Sequence, residues 1–478
     1  MKNKHVYISL YSVITFLLLN IHGFSQTQLA YTSNQFSYDS IIDISYGIDT
    51  DFAGNLVDLK LDIYKPISDF NCMRPLILLV HGGAWVGGSK EDQNIVLMAR
   101  EFAKKGWVAA TINYRLGNHK AANYSMYALC NNSISAPCGY ICDSSEIIRA
   151  NFRAMQDVKG AIRFMKNRND IDSTDINNVF LAGESAGGFI SFTAAFTDQE
   201  NEKSESCFAI NEAPIPDADF YTYGCIPTNN NRSRPDLGSI EGSLNLGTSD
   251  ANVNGIGSFY GATFNLSIVN QLSEPPCVYL FHQGSDIVVN YEYAKILGRT
   301  SWECYAQTNL CQSYLFYPFA FGNKSIKNYL SGLSSNPIIY QADIIENYSY
   351  LNNCFSNGHS IDLFALRVQN MTNLFANRIA LSINNPQNNC NPTLNDDLSK
   401  DEKSFILFPN PATNHLKVFA NTQLQGLSYV VYNHMGESVL KGIIQSGNTE
   451  IEIGALTSGI YIFNVGVNFR QVFIVLKE

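Results

Sequence analysis

The chain has 478 residues, 45% of them apolar and 15% charged, with a formal net charge of −10. That length accommodates one large core plus a smaller second domain. The acidic balance excludes a broad phosphate-binding surface, so no nucleic-acid partner is expected, while a small neutral or carbohydrate-like partner is compatible with it.

The chain opens with Lys2 and Lys4, followed by a 16-residue apolar run over 6–21. Gly23 and Ser25 then put small residues where a signal peptidase cuts, before Gln26. The run is shorter than the roughly 18 residues of a spanning helix. Residues 1–25 are therefore expected to be a cleaved signal peptide, leaving no transmembrane segment in the mature protein. Export makes the 11 cysteines candidates for disulfides. Cys130, Cys138 and Cys142, and Cys304 with Cys311, are spaced to clip local loops. Cys207 with Cys225 would close another, and Cys277 and Cys354 would pair over longer distances. No CxxC or paired-histidine spacing supports zinc, so neither a metal nor a cofactor is expected.

LVDLKLDIY at 56–64 alternates as a half-buried strand does, whereas PLILLVHGG at 75–83 is a continuous apolar run, as in a strand buried on both faces. Residues 92–105 read as a helix and WVAATINYR as another buried strand. From Ile148, apolar residues recur at Phe152, Met155, Val158, Ile162 and Met165, with Arg149, Arg153, Lys159, Arg163 and Lys166 between them. This predicts a long amphipathic helix with a charged outer face and Ser144 or Ser145 as N-cap. NNVFLAG is the next strand, and a helix follows Ser185. CFAINEAP and CVYLFHQG are two more strand-like runs, and HSIDLFALRVQNMTNLF reads as a closing helix. Strands alternating with helices imply an α/β domain with a mostly parallel sheet. Residues 117–146, 214–270 and the aromatic-rich 300–350 interrupt the alternation, as lids or binding loops do.

Residues 383–403 read as a solvated linker. Everything beyond is strand and turn, a β-sandwich of about 75 residues. FPNPATNHLKV at 408–418, YVVYNHMGESVLKG, SGIYIFNV at 458–465 and the terminal LKE closely resemble the C-terminal sorting domain of the type IX secretion system. The resemblance implies the secretion machinery as a partner, export across the outer membrane, removal of the tail, and release or attachment at the cell surface.

The stretch FLAGESAGGFISF places Ser185 between Gly183 and Gly187, at the end of a buried strand and the start of a helix. A serine hydroxyl needs a base, a group that orients the base, and donors for the oxyanion that forms. HGGAWVGG at 81–88 follows an earlier buried strand, and its glycines bare backbone N–H groups. Gly83 and Ala84, with Ala186, are the candidate oxyanion donors. Asp286, in the loop after CVYLF, is the candidate acid. The order Ser, Asp, His then leaves His359, because His282 precedes Asp286 and His415 and His434 lie in the tail.

These segments, together with LDIYKP at 61–66 and NYRLG at 113–117, resemble the α/β-hydrolase superfamily, specifically its carboxylesterase and hormone-sensitive-lipase-like esterases. The resemblance covers most of 55–375. It implies an α/β-hydrolase fold over 26–382, followed by the linker 383–403 and an all-β sorting domain at 404–478. It also implies a secreted serine esterase with Ser185 as nucleophile, His359 as general base, Asp286 as its partner and Gly83, Ala84 and Ala186 as oxyanion donors. The substrate class is a small or polymer-linked ester. Two departures from the pattern are the Ala in HGGAW, which matters little because the donor is backbone, and the 73-residue separation of Asp286 and His359, which suggests an aromatic insertion over the pocket. Two other readings are a prolyl-oligopeptidase-like peptidase, which lacks support because no segment repeats at blade spacing, and an inactive surface binding protein on the same fold.

Overall fold

Sheet formation follows directly from the continuous apolar runs. In a computed structural model of the chain, the described residues are 29–69, 71, 73–118, 144–211, 234–247, 249–270, 274–298, 317–333, 338–346, 358–381, 405–408, 412–420, 424–433, 436–445, 448–465 and 469–477. The expected signal peptide and linker lie outside them. The chain separates into two compact units, Met1–Asn388 and Asn389–Glu478.

The first unit is built on an eight-stranded sheet. Its strands are β1 (Ser37–Thr50), β2 (Leu56–Ile67), β3 (Arg74–Val80), β4 (Val108–Ile112), β5 (Thr174–Glu184) and β6 (Gly255–Phe259). After the two-residue β7 (Ala262–Thr263) comes β8 (Cys277–Gln283); the short β9 (Tyr293–Lys295) and β10 (Phe319–Gly322) precede the edge strand β11 (Tyr340–Ile345). The order across the large sheet is β1-β2-β4-β3-β5-β6-β8-β11. Only the β1–β2 and β2–β4 pairings are antiparallel; from β4 to β11 every pairing is parallel. β7, β10 and β9 form a separate small sheet.

Every residue of β3 and β4 is buried. Alternation along β3 explains why: Leu76, Leu78 and Val80 enter one core and Ile77 and Leu79 the other. The longer helices among the described residues are α1 (Gln93–Lys104), α2 (Ser144–Asn167), α3 (Ala186–Phe196), α4 (Asn323–Gly332) and α5 (Phe364–Leu381). Met155 of α2 and Phe189 of α3 pack into the first core, Phe102 of α1 and Phe375 of α5 into the second. Helices on both faces of a mostly parallel sheet, with one reversed strand near its edge, make this an α/β-hydrolase fold.

Several expectations need correction. β1 has no counterpart in the sequence reading, because its outward side chains are mostly polar. CFAINEAP is not a sheet strand over its described part: Cys207 ends a 3-10 turn, and Ile210 forms a single bridge with Arg234. The strand that follows α3 is instead β6, GIGSF, inside a stretch expected to be a binding loop. Its glycines hid it, and packing requires them: a Cβ on Gly257 would lie 2.2 Å from Met371 Sδ. β11, YQADII, falls within the expected aromatic insertion, where Gln341 and Asp343 break up its apolar residues.

The cations of α2 are not a solvated face. Arg149, Arg153, Lys159, Arg163 and Lys166 are all buried. Arg149 Nη1 donates to the carbonyls of Ser206 and Phe208 at 3.0 and 2.9 Å, and Lys166 Nζ to Asn252 O at 2.8 Å. Glu241 pairs with both Lys159 and Arg163 at 2.6 Å. Glu241, Asp250 and Asn252 thus supply partners to Lys159, Arg163 and Lys166, while Arg153 Nη2 donates to Gly117 O at 2.9 Å. Ser144 and Ser145 both fall inside the helix.

The expected disulfides also need correction where residues are described. Cys207 and Cys277 are free, and burial pushes each thiol up to about 12. Their expected partners, Cys225 and Cys354, and the remaining cysteines lie outside the described residues, as do Trp302, Tyr305, Tyr314 and Phe316. Phe319 and Phe321 stack on Tyr293 at 5.3 and 4.4 Å between ring centres.

The second unit has two antiparallel sheets. The first contains β12 (Phe405–Phe408), β13 (His415–Ala420) and β16 (Asn448–Glu452). The other contains β14 (Ser428–Tyr432), β15 (Ser438–Ile443), β17 (Gly459–Val465) and β18 (Phe469–Val475). Leu416, Val418 and Ile451 meet Val431, Phe463 and Phe473 in one core, a small all-β sandwich. Among the described residues, no helix is long and apolar enough to cross a membrane, and no group of three His, Cys, Asp or Glu could hold a metal.

Candidate active site

Ser185 occupies the single residue between β5 and α3, with φ 52° and ψ −122°. Such a backbone costs about 1–3 kcal/mol and persists only where its surroundings enforce it. Here Ser185 N–H donates to Phe259 O at 2.9 Å, and Ser185 O accepts from Gly188 N–H at 2.8 Å. The flanking glycines are obligatory. A Cβ on Gly187 would sit 2.1 Å from Val80 O, and one on Gly183 would sit 2.3 Å from Gly187 O.

The loop after β3 lies against this turn, since a Cβ on Gly82 would be 3.2 Å from Ser185 Cβ. Gly83, Ala84 and Trp85 follow with φ of 104°, 52° and 60°. Gly83 O accepts from the N–H groups of Val86 and Gly87, both at 3.0 Å. His81 Nδ1 is 2.7 Å from Gly82 O, and its ring stacks on Tyr114 at 4.3 Å. The Tyr114 hydroxyl donates to His81 O and Gly82 O at 3.2 and 3.1 Å. Burial pushes the His81 imidazole below its usual value, which suits a ring that donates one N–H to a carbonyl. Ala186, nearly fully buried, is the first residue of α3, so its N–H belongs to the open end of that helix.

The remaining two candidates come from distant loops. His359 Nε2 is 2.8 Å from Ser185 Oγ, and His359 Nδ1 is 2.7 Å from Asp286 Oδ2. Asp286 is fully buried just past β8. Its Oδ1 accepts the N–H groups of Val288 and Val289 at 2.8 and 2.9 Å. Burial alone would push this carboxyl up. The charge of His359 and the hydrogen bonds from His282 and His359 outweigh it and hold the group down at about 2. Asp286 is therefore an anion at neutral pH, aimed at His359. The structure thus brings Ser185, His359 and Asp286 into one hydrogen-bonded run, with Gly82 and Gly83 alongside. A hydroxyl with a base at 2.8 Å and the base tethered to an anion can transfer its proton as it attacks an electrophilic carbon.

Three side chains unassigned in the sequence reading complete the surroundings. Tyr260, just beyond β6, packs on the His359 ring with centres 4.6 Å apart. Its hydroxyl donates to Glu184, which also accepts from Asn94 Nδ2 at 2.8 Å. Burial, reinforced by Glu184, pushes the Tyr260 phenol well up and keeps it a donor. Tyr260 was missed because β6 was missed. Asn94 carried no signal, while the third, His282, stands four residues before Asp286 and was visible only as a histidine in the wrong order. On the other side, Trp85 Nε1 donates to Asn151 Oδ1 at 3.3 Å, and its ring meets Phe189 edge-on at 5.2 Å.

Residues 61–135 match the family described as BD-FAE, and residues 406–474 match the secretion system C-terminal sorting domain. The chain is 30% identical over 123 residues to esterase LipC of Mycobacterium tuberculosis, a stretch covering 26% of this chain and 23% of that protein. The chain therefore spans under a quarter of that relative's length. Among solved structures, it is similar to a truncated carbohydrate esterase from gut microbiota, with TM-score 0.37 and 16% identity, covering 73% of this chain and 99% of the other. It is also similar to apo esterase 2 of Thermogutta terrifontis, with TM-score 0.35 and 15% identity, covering 74% and 97%. The tail marks the chain for export by type IX secretion, to the cell surface or beyond. Within a unit of α/β-hydrolase fold, residues 61–135 thus match the BD-FAE model, and residues 406–474 match the secretion system C-terminal sorting domain.

Proposed function

We propose that this protein is an exported serine esterase. The observation that carries the reading is the hydrogen-bonded run from Ser185 Oγ through His359 to buried Asp286. Ser185 Oγ attacks the ester carbonyl carbon while His359 Nε2 takes its proton. Negative charge develops on the carbonyl oxygen, which the N–H groups of Gly83, Ala84 and Ala186 receive. The intermediate collapses, the C–O bond breaks, and His359 returns the proton to the departing alcohol. Water, deprotonated by His359, then attacks the acyl-enzyme and releases the acid with Ser185 regenerated. Asp286 keeps its negative charge throughout and stabilises the imidazolium that forms twice per cycle.

The substrate is a small or polymer-linked ester, a class supported by the export signal and by the esterase relatives. In this reading residues 1–25 are removed on export, 26–382 form the catalytic domain, 383–403 the linker, and 404–478 the tail cleaved during sorting. The test is hydrolysis of p-nitrophenyl acetate and butyrate by the mature protein, alongside a chromogenic dipeptide. Ester turnover, with fluorophosphonate labelling that disappears in Ser185→Ala, is the expected result. Cleavage of the dipeptide alone would favour a peptidase, and silence on all substrates a binding protein.

A further inference from the structure

Asp286 has a second histidine on it. His282, the penultimate residue of β8, is fully buried, and its Nε2 lies 3.2 Å from Asp286 Oδ2 and 2.9 Å from Val289 O. Both neighbours of Nε2 are acceptors, so this nitrogen carries the proton. The other nitrogen, Nδ1, faces a donor, the backbone N–H of Asn323 at 3.4 Å. Asn323 begins α4, where the first N–H groups have no partner within the helix. Its side chain is itself locked: Nδ2 donates to Ser258 O and Phe281 O at 2.8 and 3.0 Å, and Oδ1 accepts from Ser258 Oγ at 3.0 Å. A fully buried polar chain therefore runs Ser258, Asn323, His282, Asp286 behind the catalytic run.

We infer that His282 is a positioning residue: its Nε2–H, shared between Val289 O and Asp286 Oδ2, is the second donor on the Asp286 oxygen that holds His359, and the start of α4 keeps that tautomer in place. This rests on the esterase reading above. With Val288 and Val289 on Oδ1 and two imidazoles on Oδ2, the carboxylate has no free rotation about its side chain. The His282 bond also shares the charge that Asp286 presents to His359. It further explains the long Asp-to-His segment, because β10 and α4 lie within it and deliver Asn323. Asp286 is the charged group facing His282. Lys324, next along α4, turns to Glu292 and Glu346 at 2.9 and 3.6 Å. His359 is faced by Asp286, Ser185 and the Tyr260 ring.

The experiment compares His282→Leu, which removes the donor, with His282→Gln, which keeps one on a side chain of similar reach. In His282→Leu, kcat on p-nitrophenyl butyrate falls about 10- to 100-fold, with KM within about twofold of the parent. A carboxylate with one donor fewer is the stronger base toward its partner's proton, so the acid limb of kcat/KM moves up by about 0.5 pH unit or more. His282→Gln stays within about threefold of the parent and keeps its acid limb. A lower kcat with an unmoved limb, or equal losses in both variants, reduces His282 to packing and overturns the proposal. Nitrogen-15 labelling of the histidines in the unaltered protein gives a readout free of turnover and of variant folding. His282 is expected to carry its proton on Nε2 and none on Nδ1, and a proton on Nδ1 overturns the proposal. Absence of ester hydrolysis by the parent would instead sink the esterase reading and leave this measurement standing.

Discussion

The Tyr260 ring lies 4.6 Å from the His359 imidazole and is pinned by its hydroxyl to Glu184, the residue immediately before Ser185. One side chain just past β6 thus links the strand that leads to the serine with the loop that carries the histidine. Replacing Tyr260 by Ala frees the imidazole face, and kcat is expected to fall about tenfold with a smaller change in KM. Tyr260→Phe keeps the ring but leaves buried Glu184 one donor short. It is expected to retain most of kcat and lose about 1–3 kcal/mol of stability in urea unfolding.

Ser185→Ala and His359→Ala remove the proposed nucleophile and the proposed base. Each is expected to lower kcat on p-nitrophenyl butyrate by about 10⁴–10⁶, and the double variant to be little worse than either single one. Steady-state kinetics of the three variants checks this. Near-normal turnover by His359→Ala would require another base.

The turn at Ser185 tolerates no side chain beside it. Gly187→Ala would place a methyl 2.1 Å from Val80 O, where only backbone can give way. A loss of at least about 1–3 kcal/mol is expected, with fluorophosphonate labelling reduced even in the folded fraction. Circular dichroism melts and labelling stoichiometry separate the two effects.

Acid should destabilise the domain through Asp286. Its carboxyl is held at about 2 against an ordinary 3.8, so the folded state binds this proton less readily than the unfolded chain does. The resulting stability, about 2 kcal/mol by linkage, is fully present above pH ~4 and is lost as pH falls towards 2. Asp286→Asn should flatten that part of the stability curve, measured by urea unfolding at stepped pH. An unchanged slope would contradict the depressed value.

Glu241 holds two buried cations of α2, Lys159 and Arg163, each at 2.6 Å. Burial pushes both cations down, and Glu241 opposes that push. Glu241→Ala leaves both to backbone carbonyls alone and is expected to cost about 1–3 kcal/mol in urea unfolding. Glu241→Gln should cost less.

Much of the fold was legible because buried parallel strands write themselves as unbroken apolar runs, as at 75–80 and 179–183. One strand that escaped, β6, has a composition that serves its neighbours. Gly255 and Gly257 of β6 leave room for Phe180, Phe375 and Met371, which a single-strand pattern cannot convey. The polar side of α2 misled for a related reason. Five cations at helical spacing look like a water-facing surface, and only segments distant in sequence, such as Gly117, Ser206, Glu241 and Asn252, supply their partners.

The local chemistry of the site was set by sequence alone. A strand, a serine between two glycines and a helix can close only one kind of turn, and a glycine pair after an earlier strand bares its N–H groups whatever the rest of the chain does. Tertiary structure decided which groups meet. Ser185 and His359 are 174 residues apart and Asp286 and His359 are 73 apart, and neither separation predicts a hydrogen bond. Nor does sequence order reveal that His282, excluded as the base, would lie against the acid. Contacts of that kind depend on where parallel strands end side by side, and strand order is a property of the packed sheet.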